Sequence, residues 1–161
     1  MSTGTIDGRH DGGPDAVPPG RPTLGWCGAD EAAELQAFID AHWRRGHILS
    51  RDETLLRWQF ESTDPARLDV VVARDGGRIV GMLGVIPCPF NADGRRVRGG
   101  MLANWIAREE YRSQMLGVQL MRFAWDAGYD FLGTLGAGAA VLPLYTGMRF
   151  AVTARVPRWV R

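Results

Sequence analysis

An α/β (α+β) fold, with a mixed central sheet flanked by helices, is what this sequence predicts, and three observations predict it. Two helical patterns come first, followed by a meander of apolar strands. One long apolar strand then runs through a basic turn straight into an amphipathic helix. A further strand, a short helix and a last strand complete the order. At 161 residues the chain has ordinary single-domain size, enough to bury a sizeable core.

Residues 1–23 read as a disordered tail. Gly and Pro punctuate them, almost nothing between is apolar, and such a segment cannot offset its ordering entropy. The folded domain is expected over 24–161. Asp30 is positioned to cap a first helix in which Leu35, Phe38, Ile39 and His42 share a face. Ser50 and Glu53 form a capping-box pattern before a second helix carrying Leu55, Leu56 and Phe60. Asp69–Arg74 (DVVVAR) is a strand of the fully buried type, and Asp75-Gly76-Gly77 turns it into a second, Arg78 to Ile86. Asn91-Ala92-Asp93-Gly94 turns the chain again, into a strand from about Arg95 to Ala107. A third helix, Leu116 to Ala127, points Leu116, Leu120 and Phe123 inward and stops at Gly128. Tyr129–Leu135 is the next strand. A short helix starting near Pro143 ends near Gly147, and Phe150, Val152, Ala154 and Val156 alternate as a last strand.

Composition removes several function classes. Net charge is +1 with no long like-charge run, so general nucleic-acid binding has little electrostatic support. All basic residues are Arg. Cys27 and Cys88 lack metal or redox spacing and read as reduced thiols; no metal site is expected. No stretch approaches the ~20 apolar residues of a membrane span, and no apolar signal region opens the chain, so the cytoplasm is the expected compartment. Arg95-Arg96-Val97-Arg98 reads as the exposed face of a strand, His42 as structural, and Trp58 and Trp105 as packing residues.

The chemistry is concentrated in Met101–Gly117, MLANWIAREEYRSQMLG. A helix start has unpaired N–H groups and partial positive charge, which suits it to phosphate. Arg108 and Arg112 flank this one, and Gly117 permits close backbone approach. The stretch resembles the acyl-CoA pyrophosphate loop of the GNAT superfamily of N-acetyltransferases, usually Arg/Gln-x-x-Gly-x-Gly/Ala; here Met115 stands where the middle Gly is usual. Leu144-Tyr145-Thr146-Gly147-Met148-Arg149-Phe150 looks like the family's Leu-Tyr-x-x-x-Gly-Phe, with Arg149 where Gly is usual, and the spacing between the two motifs fits as well. HWRRGHILSRDETLLRWQF and YDFLGTLGAGAAVLPLYTGMRF resemble bacterial members that acylate amino sugars of surface polysaccharides.

The resemblance implies a GNAT-like acyl-CoA N-acyltransferase fold lacking the family's last strand. It implies acetyl-CoA or another acyl-CoA as co-substrate and a small-molecule amine, such as an amino sugar, as acceptor. Main chain at Ile106, Ala107 and Arg108 would pair with pantetheine. Arg112 and the N–H groups of Ser113, Gln114, Met115, Leu116 and Gly117 would hold the pyrophosphate, and Tyr145 would protonate the departing thiolate. Glu109 or Glu110 is placed to act as general base, and His47 lies near the acceptor-side loops. The absent strand is expected from a partner subunit (a homodimer or a second GNAT-like half) or from the N-terminal tail, or is missing from a truncated product. The competing reading is a non-catalytic GNAT-like module that binds CoA or pairs with another half.

Overall fold

The computed structural model describes residues 20–153. Its core is a five-stranded sheet in the order β1 (Thr23–Gly28), β2 (Arg67–Asp75), β3 (Arg78–Pro87), β6 (Gly99–Ala107), β7 (Phe131–Gly133). The first four strands pair antiparallel, and β7 joins β6 in parallel, so the sheet is mixed. On one face lie α1 (Ala32–His42), α2 (Ile48–Arg51) and α3 (Glu53–Gln59); on the other lie α4 (Leu116–Asp126) and α5 (Leu142–Gly147). The α/β class with a mixed sheet between helices is therefore as expected.

The VVVA run explains the two-sided burial. Alternate side chains of a strand point to opposite faces. Val70 and Val72 pack against Leu35, Ile39 and Leu56 on one side, while Val71 and Ala73 pack with Leu116, Leu120 and Met121 on the other. Each buried aliphatic side chain contributes about 1.5–3 kcal/mol of apolar burial. The β2–β3 hairpin turns at Gly76 (φ 56°) and Gly77 (φ 81°), a left-handed pair that other residues adopt only with strain.

Several local expectations are corrected. β1 was not foreseen: Thr23-Leu24-Gly25-Trp26-Cys27-Gly28 has little periodicity, and only its pairing to β2 makes it a strand. Gly20 is already tied to the fold, its N–H donating to Asp75 Oδ2 at 2.7 Å. Asp30 does not cap α1. Residues Ala29–Glu31 form a 3-10 turn, and the Glu31 carboxylate accepts the Gly28 N–H while pairing with Arg74 of β2. Ser50 lies inside α2, donating to Asp40 Oδ1 at 3.0 Å, and Asp52 caps α3 instead. His42 is not part of the buried stripe, because α1 ends at it and its ring is exposed. Trp58 is 72% exposed and does not pack in the core.

The strand expected from Arg95 to Ala107 is divided. β5 (Arg95–Val97) folds back on β4 (Phe90–Ala92), and only from Gly99 does the chain pair with β3. Arg98 is the pivot: its N–H donates to Asp130 Oδ2 at 2.9 Å, and its guanidinium bonds the Ala127 carbonyl at 3.1 Å and lies over Tyr129. α4 ends near Gly128 (φ 78°), as read. β7 covers only Phe131–Gly133 of the expected strand. At the C-terminal side no strand forms over 150–153, and Ala154 and Val156 lie outside the described residues, as do residues 1–19 of the tail.

Candidate functional site

The site begins where β6 and β7 part. Their parallel pairing runs only from Gly99↔Phe131 to Met101↔Gly133, yet β6 continues to Ala107. From Leu102 onward the edge of β6 facing β7 has no strand partner among the described residues; the Thr134 hydroxyl donates to the Leu102 carbonyl at 3.1 Å as the strands separate. Within this stretch β6 bulges. Leu83 opposes both Asn104 and Trp105, and Asn104 adopts φ 55°. A free strand edge of this kind accepts an extended amide-bearing chain by main-chain hydrogen bonding.

The turn after β6 is a 3-10 segment, Glu109–Gln114, anchored from below. Tyr111 is buried, and its phenol donates to Asp75 Oδ2 at 2.6 Å, tying the turn to the β2–β3 hairpin. That bond, with the Gly20 N–H, holds the Asp75 carboxyl below its usual range, and it pushes the Tyr111 phenol up. Arg108 pairs with Glu110. Met115 takes the left-handed conformation (φ 55°, ψ 32°), and α4 starts directly after it. Where the resembling family uses Gly, this chain thus holds a side chain in αL, at a cost of about 1–2 kcal/mol.

The Met115 N–H bonds back to the Arg112 carbonyl at 3.0 Å, and the first N–H to pair within the helix is that of Gln119. The amides of Leu116, Gly117 and Val118 are therefore the unpaired donors of the helix start. Among the residues named from sequence, Met115 is thereby removed as a donor. Val118, which was not foreseen, is added.

These two features share one cavity of about 550 Å³. Ile106 and Ala107 of β6, Arg112 and Met115 of the turn, and Gly117 of α4, all named from sequence, line it. Trp105, Val118, Val141, Leu144, His42 and Trp43 complete the wall and were not assigned to it beforehand. Gly117 is needed for close approach: the Trp105 indole N–H donates to its carbonyl at 3.0 Å, and an added Cβ would stand 3.2 Å from that nitrogen. Trp105 is thus both packing residue and cavity wall. His42 and Trp43 come from the end of α1, a placement that only the packing of α1 onto the sheet reveals.

The remaining named residues lie elsewhere. Leu116 is buried in the core, and the side chains of Ser113 and Gln114 are on the turn but off the wall. Arg108 Nε is buried without a hydrogen-bond partner among the described residues. Glu109 is a surface side chain, 87% exposed, 3.8 Å from Arg112. Tyr145 is buried (6% exposed), edge-on to Trp105 at 5.6 Å and to Phe150 at 5.2 Å. It is not itself a lining residue, but its ring adjoins Trp105, which is. Burial pushes its phenol upward, and a hydrogen bond with Thr134 opposes this. His47 caps α2, its Nδ1 accepting the Leu49 N–H at 3.2 Å.

A larger cavity, about 980 Å³, lies at the opposite end of β6, between Trp58, Ile86, Pro87, Arg98 and Tyr129. Neither a helix start nor the open strand edge borders it. Volume therefore does not choose the site; the donor geometry does.

The sequence matches a family model described as acetyltransferase (GNAT) domain over residues 31–130. Among curated proteins none matches. The fold is similar to that of an aminoglycoside N-acetyltransferase in complex with CoA (TM-score 0.64, 14% identity, covering 90% of this chain and 98% of that one). It is similar to a ribosomal-protein-alanine N-acetyltransferase from Brucella melitensis (TM-score 0.60, 14% identity, 88% and 99% covered). It is also similar to a glucosamine-6-phosphate N-acetyltransferase from Arabidopsis thaliana (TM-score 0.61, 12% identity, 88% and 100% covered). At these identities the likeness is one of fold.

Proposed function

The chain belongs to the acetyltransferase (GNAT) domain family, and from that premise we propose that it moves an acetyl or short acyl group from acyl-CoA to the primary amine of a small molecule. One observation carries the reading: an open edge of β6 and the N-terminal amides of α4 meet in a single cavity. The donor set fits the co-substrate. Arg112 and the N–H groups of Leu116, Gly117 and Val118 suit a pyrophosphate, and main chain from Leu102 to Ala107 suits the amides of a pantetheine arm. The thioester then lies near the Trp105 bulge. Positioning of amine against thioester supplies much of the rate. Tyr145, beside Trp105, acts as hydrogen-bond donor to the departing thiolate, and burial keeps its phenol protonated through the neutral range. Amino sugars are the acceptors to try first, since two of the fold neighbours are named for glucosamine-6-phosphate and aminoglycosides.

The test is ligand-dependent stability. Acetyl-CoA at a hundred times its Kd should stabilise the native state by about 2.7 kcal/mol and raise Tm accordingly. Arg112→Glu puts a negative charge where the pyrophosphate is to lie and should remove most of that shift. Titration calorimetry showing no binding at millimolar acetyl-CoA would overturn the reading.

A further inference from the structure

We infer that His42 is the base that takes a proton from the acceptor ammonium, an inference that rests on the acyl-transfer reading above. Of the described residues lining the cavity, only His42 and Arg112 ionise; the others are main chain, aromatic and aliphatic groups. Arginine stays protonated and accepts nothing. The imidazole is thus the one side chain on the wall with a nitrogen lone pair that can accept a proton. Neither carboxylate suggested by sequence lines the cavity: Glu109 is a surface group, and Glu110 is paired with Arg108.

Geometry places His42 for this. It closes α1, exposed, its ring against Phe38 at 4.9 Å, and shares the cavity with the bulged stretch Trp105–Ala107. The chain just after it is pinned. Asp40 Oδ1 accepts the Gly46 N–H at 2.6 Å and the Ser50 hydroxyl at 3.0 Å, while Trp43 stacks on His47 at 4.5 Å. His47 is committed to capping α2, which leaves His42 as the free imidazole of the described pair. The charged groups that face it are Arg112, on the same cavity wall, and Glu110, paired with Arg108, on the turn after β6. The Glu110 carboxyl is held below its usual range chiefly by a backbone N–H, with Arg108 and His42 adding to the effect.

The step balances. His42 takes one proton from R–NH3+, and the nitrogen lone pair of the resulting R–NH2 forms the N–C bond at the thioester carbonyl. The C–S bond breaks with its electron pair on sulfur. A second proton leaves the nitrogen and ends on that sulfur, giving amide and CoA thiol, while His42 passes its proton to solvent.

The experiment uses the full chain with acetyl-CoA and three probe amines: ethanolamine and glucosamine, largely protonated at pH 7, and hydroxylamine, already neutral there. Thiol release is followed from pH 5.5 to 9, with the acetyl-CoA thermal shift measured in parallel. In H42Q, kcat with the protonated amines should fall by roughly 10²–10⁴-fold, the remaining activity should follow the free-amine fraction up to the pKa of the amine itself, and the thermal shift should persist. With hydroxylamine the loss should shrink to about tenfold or less, since there is no ammonium proton to remove. Equal losses with all amines, or kcat within twofold of wild type, overturn the inference alone. A wild-type protein that binds no acetyl-CoA, or binds it and transfers acetyl to no amine, overturns the acyl-transfer reading and this inference with it.

Discussion

Replacing Tyr145 with Phe isolates one hydroxyl and so tests the step that the fold leaves least obvious. The ring's edge-on contacts with Trp105 (5.6 Å) and Phe150 (5.2 Å) survive, each contributing about 0.5–1.5 kcal/mol beyond area burial. Only the hydroxyl near Thr134 is lost, at most about 1 kcal/mol, which for a domain of this size lowers Tm by no more than about 3–4 °C. The kinetic effect follows from acidity. Burial raises the phenol above its usual pKa of about 10, whereas a thiol has a pKa near 8.5. Full proton transfer to the thiolate from so weak an acid is therefore not favourable. A hydrogen bond to the developing negative charge is favourable, and its loss should cost turnover about 10²-fold, the low end for a positioned acid. Thiol-release kinetics should show kcat falling with the acetyl-CoA thermal shift unchanged. Turnover within twofold of wild type, with only the Tm responding, would refute the reasoning and leave Tyr145 a packing residue beside Trp105.

Two further outcomes are expected. Met115→Gly relieves left-handed strain of about 1–2 kcal/mol and adds a backbone-entropy cost of about 0.5–1 kcal/mol. Because the Met115 side chain is 60% exposed, little burial is lost. Stability should rise slightly or hold, and calorimetry should show tighter acetyl-CoA binding as backbone approach opens; weaker binding would mean that the Met115 side chain itself contacts the ligand. The second concerns acid. Arg74, then the Gly28 N–H, lowers the Glu31 carboxyl below its ordinary 4.5, so the folded state binds that proton less readily than the unfolded one. The resulting stability is fully present above about pH 4.5 and is lost as pH falls through the lower folded-state value. Glu31→Gln should flatten that part of the acid-denaturation curve, and an unchanged curve would show that the pair contributes nothing.

The sequence by itself determined what depends on neighbours along the chain. The VVVA run dictates a strand buried on both faces, Asp75-Gly76-Gly77 dictates the hairpin, and the Leu116-Leu120 spacing dictates an amphipathic helix. Arg112, Met115 and Gly117 are legible as one site for the same reason: strand, turn and helix start follow one another directly. Tertiary structure decided what depends on partners far away in sequence. β1 is a strand because β2 offers it hydrogen bonds, Glu31 rather than Asp30 takes the Gly28 N–H because Arg74, 43 residues away, holds it, and β5 separates from β6 because Asp130 captures Arg98. The same holds at the site. Nothing in the periodicity of α1 says that His42 lines one cavity with Ala107, and nothing in the sequence around Tyr145 says that its ring packs edge-on against Trp105. Side-chain exposure is set by how whole elements pack, and a helical pattern specifies a face without specifying what that face will meet.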